Sequence, residues 1–232
     1  MSLLAASSGA SQPPPEVHIN FWDCAWFAEH RTPAPSGTPD ARRGYEGSDF
    51  PGDAQKAFQD IAAGKGIEVR YLHRDSRDCD IEIHAGEHGF DLLVCSGLTE
   101  LVRNRHELAA VVGHEIAHAV LRHEAARDQL VRDLAAGWAR SKPSTYWEST
   151  EPQAVHAEIL AHACPDLNRL SREHELEADR LGSEYATRAG YDGSQAAAIW
   201  SRQVDLRWQE GHPESAGSHP FPSDRRDRLL GR

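Results

Sequence analysis

Residues 114–118 read His114-Glu115-Ile116-Ala117-His118, with Leu108-Ala109-Ala110-Val111-Val112-Gly113 before them and Ala119-Val120-Leu121 after. Small and apolar flanks on both sides predict a helix buried in a core rather than one lying in solvent. Residues four apart on a helix share a face. His114 and His118 therefore offer two imidazoles to one metal ion, their separation fixed by the helix. Glu115 stands one position along, beside the metal but not bound to it. That is where a base takes a proton from zinc-bound water. Zinc lowers the pKa of that water towards about 7, and the carboxylate completes the activation.

Catalytic zinc commonly takes three protein ligands and keeps a position open. A third His ten residues after His114 is ruled out, because position 124 is Glu and His123 is one short. The alternative is a carboxylate on a separate helix. Residues 173–179 read Glu-His-Glu-Leu-Glu-Ala-Asp, and Glu175 and Asp179 share a helical face. Glu175 would reach the metal, and Asp179 would orient a ligand His through its ring N–H. Glu177 lies roughly 200° around the helix from Glu175 and points elsewhere. The offset of 57 residues from His118 to Glu175 requires the second helix to pack beside the first.

The remaining chain surrounds these segments in a definite order. Ser7 to Pro15 is Ser-, Gly- and Pro-rich and reads as a tail, and Arg31 to Gly52 reads as loop. Met1 to Ala10 lacks a basic stretch, and its apolar run is short for a signal peptide. Between tail and loop lies Phe21-Trp22-Asp23-Cys24-Ala25-Trp26-Phe27, an aromatic arm that packs on the core or contacts a partner near the cleft. Asp53 caps a helix to Ala63 with Gly64 and Gly66 as its stop, and Ile67 to Leu72 alternates like a strand. Cys79 to His84 and Phe90 to Cys95 flank a turn centred on Glu87. The two cysteines then lie opposite each other, either paired in an oxidising compartment or as two reduced thiols. Helical patterns follow over His106 to Gly137, Gln153 to Ala163, Pro165 to Ala189, Ser194 to Glu210 and Asp224 to Leu230. The expectation is an α+β fold, mostly helical, with a small antiparallel sheet and an active-site helix. Residues 1–52 are expected to form an N-terminal tail and loop-rich arm, and residues 53–232 the domain that carries the zinc site.

Composition narrows the function. The 232 residues carry a net charge of −11, which argues against nucleic acid as a partner, since phosphate binding wants clustered Lys and Arg. No run of 18 apolar residues suggests a membrane span. Four cysteines without a C-x-x-C pair are neither a disulfide framework nor a zinc cluster, and 14 histidines are an excess that directs attention to metal binding.

The segment Ser171-Arg172-x-x-Glu175-x-Glu177-Ala178-Asp179-Arg180-Leu181-Gly182 resembles the second signature of the HtpX/BepA-like zinc metallopeptidases, gluzincins that include the CAAX prenyl proteases. Its companion is Glu107-Leu108-Ala109-Ala110-Val111-Val112-Gly113-His114-Glu115-x-x-His118, followed by Arg122-His123. The resemblance covers roughly residues 90–190. It implies a gluzincin-like domain with one zinc ion on His114, His118 and Glu175, Glu115 as base, and Asp179 behind a ligand. It also implies endopeptidase activity on protein or peptide substrates, often in quality control. Such proteins carry a His-Pro followed by an Arg near the C-terminus, here His219-Pro220 before Asp224-Arg225-Arg226. His219 is implied as a fourth ligand or as a helper of the developing oxyanion. The Asn-Ala-Phe strand motif of the family is replaced by His84 to Phe90, and the membrane helices of some branches have no counterpart. A soluble type, periplasmic or exported rather than cytoplasmic, fits best. The alternative function is a catalytically silent, zinc-stabilised binding or chaperone-like module. Glu115 argues against it, because a structural site has no use for a base.

Overall fold

The computed structural model describes Ile19, Cys24, residues 45–77, Cys79, residues 81–209 and residues 220–231. Asp49 opens the first helix: its side chain accepts from Gly52 N, and a proline occupies the first turn, where a missing N–H costs nothing. Helix α1 runs Phe50–Ala62. The cap is therefore four residues earlier than the expected Asp53, whose carboxylate instead accepts from the Tyr45 hydroxyl at 2.7 Å.

Strands β1 (Val69–Arg74), β2 (Ile81–Gly86) and β3 (Gly89–Cys95) form one sheet in the order β1-β3-β2. The hairpin pair β2–β3 is antiparallel, as expected, but β1 lies parallel to β3. The sheet is thus mixed, because the chain crosses from one edge to the other before turning back through the middle. The β2–β3 turn is Glu87-His88, with Gly86 opposite Gly89, so its centre falls half a residue past Glu87. Gly89 has φ of 145°, and Phe90 N donates to Glu68 O at 2.8 Å beside it. A Cβ at Gly89 would lie 2.9 Å from the Glu68 Cβ, so a side chain there would push the β1 approach apart. With Ile81 opposite Val94, Cys79 meets Cys95 along a diagonal, and the two form a disulfide with Cα atoms 5.6 Å apart.

After a short 3-10 turn (Ser96–Glu100) the chain is helical. Asn104 caps α2 (Arg105–Val120) by accepting from His106 N and Glu107 N. The buried Glu107 carboxylate accepts from Arg103 N at 2.9 Å and from both Arg202 Nη atoms, which ties α2 to a later helix. The single long helix expected over residues 106–137 is broken. Arg122 takes φ of 56°, the left-handed region, and α3 (His123–Arg140) starts in a new direction. A short α4 (Ser144–Ser149) follows.

Helix α5 runs Pro152–Arg188, 37 residues and about 55 Å at 1.5 Å per residue. Two helices separated before Pro165 were expected, and one continuous helix forms. An interior proline costs about 3 kcal/mol. Burial of Ile159, Leu160, Ala163 and Leu167 around it offsets that cost, at about 1.5–3 kcal/mol for each large apolar side chain. Cys164 is also anchored there by a disulfide to Cys24, 140 residues away. All four cysteines are therefore bonded: Cys79–Cys95 takes the paired alternative that the hairpin left open, and Cys24–Cys164 was not foreseen. A second 3-10 turn (Gly193–Gln195) leads to α6 (Ala196–Gln209), and α7 is Pro222–Leu229.

The principal core joins α1, the sheet, α2 and the C-terminal half of α5, with Leu92, Leu98, Leu108, Val112, Ile116 and Ile199 inside it. The N-terminal half of α5 packs on α3 through a separate cluster that holds Cys24, Leu160 and Leu167. Helices α2 and α5 touch at two glycines. A Cβ on Gly113 would lie 2.6 Å from Gly182 O, and one on Gly182 would lie 2.7 Å from the Cα of His114. Only glycine at both positions lets the two backbones meet, and this contact sets His114 against Glu175 and Asp179.

Candidate metal centre

His114 and His118 project from α2, and Glu175 projects from α5 into the same space, each with a ligand atom within 4.8 Å of the others. His118 Nε2 is 3.0 Å from His114 Nε2 and 3.4 Å from Glu175 Oε1, and His114 Nε2 is 3.5 Å from Glu175 Oε2. Bonds of about 2.0–2.1 Å to a tetrahedral ion separate neighbouring ligands by about 3.3 Å. The two ring nitrogens and the Glu175 carboxylate therefore stand close to the spacing a zinc ion needs, and two imidazoles with one carboxylate are a donor set that suits zinc.

The charge balance favours a cation. Burial pulls the His114 imidazole down, but the Asp179 and Glu175 carboxylates outweigh it and raise the group to about 10. Burial would raise Glu175, yet His114, His118 and Arg225 hold it well below the usual carboxylate range. A site this rich in carboxylate holds a proton where a dication would satisfy it better. Glu115, half-buried beside His114, is pushed up to about 7 by burial, against the downward pull of His114, Arg225 and His84. His84 lies exposed on β2 with Nε2 2.8 Å from Glu82. The Ala85 N–H on that strand is taken by the Glu124 carboxylate at 3.1 Å.

A second layer holds the ligands. Asp179 Oδ1 lies 3.0 Å from His114 Nδ1, which turns the Nε2 lone pair toward the shared space. Asp179 is gripped in turn by Arg225, whose Nε and Nη2 each donate at 2.6 Å, while Nη1 lies 3.2 Å from Glu175 Oε2. The guanidinium is 5% exposed and stacks 3.5 Å above the Trp200 ring. On the other ligand, His118 Nδ1 is 2.9 Å from His123 Nδ1. His123 stacks flat on His174, ring centroids 3.9 Å apart, and burial lowers these two histidines to about 3 and about 4.

Of the residues the spacing singled out, His114, His118, Glu175 and Asp179 come together, with Glu115 adjoining. His219 lies outside the described residues, as does the aromatic segment apart from Cys24, which is buried against α5. Arg225 and Trp200 were missed as supports. The His-Pro followed by an Arg drew attention to Asp224-Arg225-Arg226 without linking Arg225 to Asp179. Nothing in the spacing joins residue 225 to residue 179.

A helix-borne His pair, an adjacent Glu and a carboxylate from a crossing helix define a metallopeptidase-type centre on an α+β scaffold. The chain belongs to Peptidase family M48, which matches residues 85–232 and so covers both helices. The beta-barrel assembly-enhancing protease of Escherichia coli K12 is 29% identical over 142 residues, 59% of this chain and 29% of that protein. The mitochondrial metalloendopeptidase OMA1 of Bos taurus is 30% identical over 146 residues, 60% of this chain and 28% of that protein. The human metalloendopeptidase OMA1 is also 30% identical, over 154 residues. The chain thus spans under a third of the length of these relatives. Among the described residues no helix is long and apolar enough to cross a membrane.

Proposed function

We propose that the chain is a zinc-dependent endopeptidase that hydrolyses peptide bonds in protein substrates. The observation that carries this reading is the convergence of His114, His118 and Glu175 with Glu115 at their side. One zinc ion held by these three would supply Lewis acidity toward a water molecule and the scissile carbonyl. Glu115 takes a proton from the attacking water and returns it to the leaving amine. Asp179, clamped by Arg225, keeps His114 in the tautomer that points Nε2 inward. The two disulfides support an oxidising compartment, such as the bacterial periplasm or the outside of a cell. The beta-barrel assembly-enhancing protease among the relatives is named for a part in protein assembly, which fits a role in protein quality control.

Metal analysis of the purified protein tests the reading. The expected result is a single zinc ion per chain, casein cleavage that stops when 1,10-phenanthroline strips the metal, and recovery when zinc is returned. Undiminished cleavage by the stripped protein would contradict it.

A further inference from the structure

The break between α2 and α3 has a consequence for the metal centre. Were the helix continuous, His123 would stand five residues past His118 and about 140° around the axis from it. It would face away. The left-handed Arg122 is the one non-glycine among the described residues with positive φ, and it turns the chain so that the first residue of α3 faces back. His123 Nδ1 then meets His118 Nδ1 at 2.9 Å. One of these two nitrogens carries the proton. If His118 is to bind a metal through Nε2, its proton must sit on Nδ1, so His118 donates and His123 Nδ1 accepts. That leaves the proton of His123 on Nε2, which faces Glu177 Oε2 at 3.6 Å, near enough for attraction though long for a hydrogen bond. The ring cannot swing away, because it is 3% exposed and lies flat against His174 at an interplanar angle of 2°. Helix α5 thus contributes three neighbours to one purpose: His174 as the wall, Glu175 toward the metal and Glu177 behind His123.

We infer that His123 is the positioning residue for His118, doing for that ligand what Asp179 does for His114. The inference rests on the metal site of the proposed function and deepens it. The two imidazoles are held by different chemistry: a carboxylate behind His114, and behind His118 a neutral ring that accepts the N–H without adding charge. Glu177 is the distal partner that favours the required tautomer of His123.

Zinc affinity, measured by competition with a chelating dye, tests the assignment, with the unfolding midpoint of each variant recorded alongside. His123→Phe keeps a flat ring against His174 but has no acceptor. His123→Gln places its amide where Nε2 was, out of reach of His118. His123→Asn can set an oxygen at the Nδ1 position. Phe and Gln are expected to weaken zinc binding by about 10–100-fold, and Asn to stay within about 3-fold of the parent. Equal zinc affinity for all three variants would overturn the assignment, as would an Asn variant as weak as Gln. Should Phe fail to fold, the contrast between Asn and Gln still decides. A parent chain that takes up no zinc would overturn the metal reading, and this assignment with it. A zinc-binding parent alongside an equally tight His123→Gln would overturn this assignment alone.

Discussion

Arg225 shows how much of the centre depends on one side chain that no local spacing identifies. Three of its nitrogens contact carboxylates, two on Asp179 and one on Glu175, and its flat face rests on Trp200. Without it, Asp179 would be a carboxylate 6% exposed, with His114 as its one remaining partner among the described residues. Breaking a buried pair by removing one member costs about 3–5 kcal/mol, since the surviving charge is left uncompensated. Arg225→Ala is therefore expected to lower stability by that amount in urea unfolding, and Arg225→Lys to recover only part of it, because an ammonium cannot make the two-pronged contact. Unchanged unfolding of Arg225→Ala would show that Asp179 has another partner. His114, Glu115, His118, Glu175 and Asp179 were legible because short-range spacing on a helix sets which side chains share a face. Arg225 and His123 were not, since their partners are reached only through tertiary contacts and a broken helix.

The helices carry the centre by crossing where neither has a side chain. Gly113 precedes His114, and Gly182 follows Asp179 by three residues, so the contact lies within one turn of His114 and of the carboxylate that orients it. Gly182→Ala would place a methyl against the backbone of α2, with no flexible atom to yield. It is expected to cost about 1–3 kcal/mol and to weaken zinc binding together with stability, as the helices part. Thermal unfolding and dye competition on the same variant measure both, and a variant with parental values of each would show that the helices are not in firm contact. Periodicity made α2 and both halves of α5 legible as helices. Two junctions were misread, each for a physical reason. The left-handed turn at Arg122 falls on a residue with no special preference for it, so composition does not announce it. Pro165 reads as a helix start, but the apolar side chains on both sides of it are buried against α3 and keep the helix continuous through the interruption.

Across the whole molecule, a small mixed sheet, α1 and two long helices build a frame around one charged centre. A disulfide at each end secures it. The Cys79–Cys95 bond fastens the start of β2 to the end of β3. The Cys24–Cys164 bond ties Cys24 to α5 across 140 residues, a loop of the size whose closure contributes about 4–5 kcal/mol in the chain-entropy account. Only the first pairing could be glimpsed beforehand, because a hairpin brings its strands together by local pairing, whereas nothing near residue 24 points to residue 164. The proposed function turns on one step, the movement of a proton by Glu115 beside a zinc ion that His114, His118 and Glu175 would hold. Substituting Glu115→Gln tests it most directly, because the shape is kept and the base is removed. The variant is expected to retain its zinc and to lose casein cleavage by about 10²–10⁴-fold in kcat/KM. A zinc-loaded Glu115→Gln that cleaves casein as fast as the parent would contradict the account.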